Sequence, residues 1–338
     1  MNTTAILPGA ANSTQTVFNR LEACLLTVSC EHDDLSISAV IVAFAVLALL
    51  ENCALAAAIL TWKLGHACKM FWFLWHLSVA DGMLAVTFVF FHTMVILSCP
   101  NHFSCQSNSS VQSTVVFVMF FANILSSHLF VLAATLDRFI AIKHPLRYSE
   151  LMTSRRVRIV SLIIWVVSFL IPIGGGLGLN FGNSSIAYSV TTLTAAVISL
   201  TAAVVVIALN IWMVKFAISI IMSMQTPPPS TQHQPSRPSI VPNIGIINES
   251  LKPATTLALF VVSFIVSCAP WSVALIVCEE VKKCTIKQHQ DYTLVLVLFH
   301  AIVIPFIYGF RVEEIRHRVI IFWKRVFDRA PHPAGVYR

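Results

Sequence analysis

The chain has 338 residues, of which 57% are hydrophobic and 11% charged, against about 25% charged in ordinary soluble domains. So much apolar surface has no place on a water-soluble enzyme, and lipid as the solvent removes the conflict. The net charge of +7 would by itself suit nucleic acid, but the 22 Lys and Arg are placed unevenly, and a membrane surface is the better partner.

A membrane-crossing helix needs about 20 predominantly apolar residues. Seven such stretches follow in order, at 36–62, 70–97, 111–142, 157–177, 186–224, 253–277 and 291–310. The polar tail 1–35 precedes them. Its first residues lack a charged start and a continuous apolar core, so it does not read as a cleaved signal peptide. The expected fold is therefore an all-α membrane protein, a seven-transmembrane helix bundle occupying 36–310. The only long connection is 225–252, rich in Pro and Ser with Pro227, Pro228 and Pro229 in a row, and it reads as a flexible cytoplasmic loop. After Tyr308, residues 311–338 hold a short amphipathic helix in which Ile315, Val319, Ile320 and Phe322 alternate with Arg316, Arg318, Lys324 and Arg325. Such a basic helix suits the anionic inner leaflet.

Orientation follows from the Lys and Arg near the span ends. With the amino terminus outside, the outer segments hold four bases against seven acids, a net −3, and the inner face eighteen against six, a net +12. Glu51 and Asp81 lie within spans. The sequons at Asn2, Asn12, Asn108 and Asn183 all fall outside, as glycosylation requires, whereas that at Asn248 falls inside. Six cysteines, Cys24, Cys30, Cys99, Cys105, Cys278 and Cys284, share the outer, oxidising side, and Cys278 with Cys284 is the local disulfide candidate. The pairing of the other four stays open. Cys99, His102 and Cys105 have the spacing of a partial zinc site without a fourth ligand, so no metal centre is assigned. No nucleotide loop and no catalytic constellation appear: Gly174 to Gly178 lacks the last glycine of a dinucleotide fingerprint, and the polar residues at membrane depth are scattered singly.

Six motifs occur in register on the expected spans: Asn52 in the first, Leu77-Ser-Val-Ala-Asp81 in the second, Asp137-Arg138-Phe139 at the inner end of the third, and Trp165 in the fourth. Pro270 in the sixth and Ile304-Pro305-Phe-Ile-Tyr308 in the seventh complete the series. Over nearly its whole length the chain resembles the rhodopsin-like G-protein-coupled receptors. Within that class it is similar to the cluster of melanocortin, lysophospholipid, cannabinoid and adenosine receptors, melanocortin receptors nearest. Leu50-Glu-Asn52, the stretch Leu146-Arg-Tyr-Ser-Glu-Leu-Met-Thr-Ser-Arg-Arg156, Cys278-x5-Cys284 and a very short loop between the fourth and fifth spans carry that likeness. Ser113 stands where most of the class has a cysteine.

The resemblance implies a plasma-membrane receptor, not an enzyme, that passes the binding of an extracellular ligand to a heterotrimeric G protein. In it Asp137 holds the Arg138 guanidinium at rest, and Arg138, Phe139, Pro305 and Tyr308 form the coupling switch. It implies a buried polar site at Asp81, Asn123 and Ser127 that takes a sodium ion. Here His300 and Ile304 replace the usual amide or acid side chains, so the expectation is that His300 stands in partly for the ion by pairing with Asp81, or else is a neutral histidine bonded within the bundle. Melanocortin receptors hold a cationic peptide and calcium with acids, whereas the matching positions here are Phe91, Ser113 and Phe117. Phe120 likewise replaces the aspartate of aminergic receptors. Phe88, Phe91, Phe117, Phe120, Phe121 and Trp271 instead suggest an apolar cavity for a hydrophobic ligand, the alternative being plain packing. Cys268 for the toggle tryptophan, Ile304 before Pro305, and His128 at an aliphatic core position depart from the class. These departures support a second reading, a non-signalling seven-span partner that regulates another receptor by heteromerisation; a receptor dimer is the corresponding assembly. A transporter is disfavoured, because paired intramembrane charges and broken half-helices are missing.

Overall fold

The computed structural model describes residues 32–67, 69–98, 110–181, 184–225 and 287–311, with isolated positions within 262–273 and 315–321. Six long helices carry the fold: α1 (His32–Thr61), α2 (Met70–Ser98), α3 (Ser110–Lys143), α4 (Ser154–Phe181), α5 (Ser184–Gln225) and α6 (Lys287–Arg311). The helix α6 is the seventh predicted span. The sixth span, 253–277, is described only at single positions such as Ser263, Pro270 and Ser272, which are helical. No strand occurs among the described residues.

The helices are long because hydrocarbon offers the backbone no partner, so every N–H and C=O must be satisfied within the segment. Each extends past the predicted span by one to four residues at one or both ends, the first running from His32 to Thr61 against 36–62. Apolar composition marks the hydrocarbon, whereas the helix continues into the interface. Among the described residues five helices are long and apolar enough to cross a membrane, and Val295–Ile307 forms a shorter apolar helix in α6.

Burial is inverted relative to a soluble protein. On α4, Leu162 and Leu170 are 64% and 61% exposed while Ser161 and Ser168 on the same helix are buried, which is the pattern of a surface facing lipid. Buried hydroxyls fold back on their own helices: Ser78 donates to the Leu74 carbonyl at 3.0 Å, Thr135 to Val131 at 2.9 Å and Thr191 to Ala187 at 2.9 Å. The centre of the bundle is α3, which packs against α2, α4 and α5. Its residues 121–128 are buried without interruption, as only a helix surrounded on all sides can be.

Two glycines set how closely the helices approach. A Cβ on Gly175 would overlap the Thr191 side chain of α5, and one on Gly176 would lie 2.9 Å from methyl carbons of Thr114 and Val118 on α3. The Gly174 to Gly178 stretch is thus a seam where α4 meets both neighbours, the use small residues have in lipid. Only residues 182 and 183 separate α4 from α5, which forces the two antiparallel and adjacent.

Candidate functional site

At the Lys143 end of α3, Asp137 is fully buried and Arg138 is 28% exposed. The Arg138 Nη2 and Nε donate to Asp137 Oδ2 at 2.9 and 3.2 Å, and the Tyr148 hydroxyl donates to Oδ1 at 2.8 Å. Both carboxylate oxygens are therefore engaged. Tyr148 arrives through a turn of 3-10 helix, Pro145–Arg147, running into the one-turn helix Tyr148–Leu151. Pro145 opens that turn, where its missing N–H costs nothing. Arg156 closes it, its Nη1 donating to the Glu150 and Leu151 carbonyls at 2.9 and 3.1 Å. Phe139 packs edge-on against Trp212 of α5, centroids 4.8 Å apart, and Lys143 Nζ lies 5.3 Å from the Phe139 ring.

Midway along the bundle lies a polar layer. Asn52 of α1 donates from one Nδ2 to the Ala48 carbonyl at 2.9 Å and to the Ala301 carbonyl of α6 at 2.8 Å. Asp81, Asn123 and Ser127 are buried, with the Ser127 hydroxyl facing Asp81 short of full hydrogen-bond geometry. Both Asp81 oxygens, Asn123 Oδ1 and Ser127 Oγ have no hydrogen-bond partner. One negative charge among hard oxygens fits a small cation, so these residues suit the sodium ion that the resemblance implies. The expected pair between Asp81 and His300 is not formed. The His300 ring packs edge-on beside His128, centroids 6.5 Å apart, and neither of its nitrogens is hydrogen bonded to Asp81. His128 Nδ1 and the Ser199 hydroxyl of α5 are hydrogen bonded at 2.8 Å.

Toward the Ser98 end of α2, four of the predicted pocket rings meet. Phe88 is edge-on to Phe120 at 5.7 Å, Phe120 to Phe121 at 5.4 Å, and Phe117 lies 4.8 Å from Phe121. Phe91 joins them through His92, edge-on at 5.1 Å, and His92 stacks on Phe88 at 6.0 Å. Residues of α1, α5 and α6, among them Ile41, Ala195 and Leu298, complete this cluster. The sequence reading missed His92, although its ionisable ring beside Phe91 and one turn from Phe88 was visible. It also missed His76, whose Nδ1 accepts the Trp165 indole N–H at 3.1 Å and ties α2 to α4.

Several predicted residues fall outside the described ones. These are Trp271, Cys268, the six outer cysteines, His102 and the sequons at Asn2, Asn12, Asn108 and Asn183, together with most of the 311–338 helix. Pro305 and Tyr308 lie within α6, but the Tyr308 side chain is not described. Among the described residues no group of three or more His, Cys, Asp or Glu could hold a metal ion.

A bundle of long apolar helices around a polar layer, with an Asp-Arg pair closing one end, is the architecture of a seven-span receptor. The family model described as "7 transmembrane receptor (rhodopsin family)" matches residues 51–308, and the chain belongs to that family. Among curated proteins it is similar to melanocortin receptor 5 of Ovis aries, 25% identical over 90% of this chain and 89% of that protein. It is also similar to melanocortin receptor 5 of Sus scrofa, at 27% over 79% and 86%, and to melanocortin receptor 4 of Danio rerio, at 26% over 79% and 78%. The chain is thus a multi-pass membrane receptor of the rhodopsin class with melanocortin-receptor relatives.

Proposed function

We propose that this receptor relays a hydrophobic extracellular ligand, or ligand-independent activity, to heterotrimeric G proteins across the plasma membrane, with its amino terminus outside. The carrying observation is the Asp137 hub. A buried carboxylate shared by Arg138 and Tyr148 holds the guanidinium against its own helix. This is a two-state element whose balance a few kcal/mol can shift. In the resting arrangement Arg138 belongs to Asp137; in the coupled one it faces the G protein. Arg155, Arg156 and Lys143 supply a basic rim there.

The aromatic layer at the opposite end supports the ligand class. Phe91, Ser113, Phe117 and Phe120 leave an Arg-bearing peptide or an amine without a carboxylate to bind. Asp81, with Asn123 and Ser127, would hold a sodium ion, which neutralises the buried charge when bound and favours the resting packing. His300 stays beside His128 as part of the bundle.

The test is surface expression with a panel of G-protein dissociation assays, comparing the native receptor with Arg138→Ala. A basal or ligand-driven signal that Arg138→Ala abolishes is expected. The same response from both across the whole panel would favour the non-signalling heteromer partner instead.

A further inference from the structure

Resting on the reading above, the structure assigns a polar anchor to the aromatic layer. We propose that His92 is the headgroup contact of a binding site for a lipid-like molecule with a long apolar body and a single hydroxyl.

His92 is 5% exposed and sits on α2 one turn beyond Phe88. Its Nδ1 is 3.3 Å from the Ser38 hydroxyl of α1. Its Nε2 is buried with no hydrogen-bond partner. The ring lies flat on Phe88 and edge-on to Phe91, so no protein oxygen approaches the free nitrogen from those sides. A buried ring nitrogen left unsatisfied is a standing cost to the fold. No packing gain requires it, because a phenylalanine would present the same flat ring to Phe88.

The chemistry of that nitrogen selects the partner. If Ser38 donates to Nδ1, Nε2 carries the proton and needs an acceptor; if Ser38 accepts, Nε2 is bare and needs a donor. A hydroxyl serves either tautomer. The rings around it, Phe88, Phe120, Phe121 and Phe117, pack with a cluster of Leu, Ile, Val and Ala, surroundings that give an acyl or alicyclic body apolar contact and give a charged one nothing.

The experiment uses the full chain, purified into phosphatidylcholine nanodiscs, and a C18 fatty alcohol carrying a diazirine in its chain. Saturable photolabelling of peptides from α2 and α3 is expected, competed by oleyl alcohol and about tenfold less well by octadecane, which lacks the oxygen. His92→Phe keeps the ring and removes both nitrogens, and it should weaken competition by oleyl alcohol about tenfold. His92→Gln, which restores a polar terminus, should recover part of the loss. Ser38→Ala, which frees the ring to turn, should weaken binding several-fold, and it reads the site even if a His92 variant does not fold. Labelling that never saturates, octadecane competing as well as the alcohol, or unchanged competition in His92→Phe would overturn the assignment. The assay needs no G protein, so the two readings separate. Exchange without saturable labelling removes the site alone, whereas labelling without exchange keeps the site and removes the signalling role.

Discussion

The Ser199 hydroxyl of α5 and His128 Nδ1 of α3 meet at 2.8 Å in a layer where both side chains are buried. This bond crosses between two helices at a depth where the class usually packs aliphatic side chains, so α3 and α5 are joined here by a directional contact and not by volume. Ser199→Ala removes that partner from a buried ring and should destabilise the receptor by about 1–3 kcal/mol. Ser199→Ala combined with His128→Leu should cost less than the sum of the two single changes. Thermal unfolding of the four purified receptors, read as a double-mutant cycle, measures the coupling.

Tyr148 acts on the switch through Asp137. Removing its hydroxyl leaves one carboxylate oxygen without that donor and loosens the hub by about 1.5 kcal/mol, the value of a hydrogen bond to a charged group. Tyr148→Phe should therefore raise basal G-protein nucleotide exchange about tenfold if exchange follows the population of the released state. Unchanged exchange in folded Tyr148→Phe would mean that Arg138 alone sets the balance.

The α4 seam admits no Cβ at Gly175. Gly175→Ala forces either the Thr191 side chain or the whole of α5 to move, an overpacking cost of about 1–3 kcal/mol. Shortening the neighbour with Thr191→Ala should restore much of the stability, which the melting temperatures of the single and double variants would report.

The oxygens around Asp81 without hydrogen-bond partners are the site proposed for sodium. Replacing choline by sodium as the only monovalent cation should raise the melting temperature of the native receptor, and Asp81→Asn should abolish the difference. A sodium response retained in Asp81→Asn would place the ion elsewhere.

What could be read from the chain was whatever lipid or a fixed motif imposes on single residues. The helix positions follow from hydrocarbon thickness, and the Asp137-Arg138 pair from adjacency, so both were legible. Pairs between helices were not, because they depend on how each helix is rotated about its axis. Tyr148 read as part of a basic docking loop, yet the short helical turn after Pro145 points its hydroxyl at Asp137. Asp81 and His300 were matched by chemistry alone; no hydrogen bond joins them, and His300 packs edge-on beside His128. His92 and His76 looked like isolated polar residues on apolar helices until Ser38 and Trp165 appeared opposite them.

The reach of Asn52 to Ala301 answers a question posed by a residue neither of them touches in sequence. Pro305 has no N–H, so the carbonyl four residues earlier in its helix loses its ordinary donor, and that carbonyl belongs to Ala301. In water such a gap would be filled by solvent; in hydrocarbon it would be a standing penalty. The first helix fills it from the side, with the amide at 2.8 Å. The break in the seventh helix is thereby made tolerable by a side chain about 250 positions away. Losing Asn52 while Pro305 stays would expose a fault that the proline had already introduced.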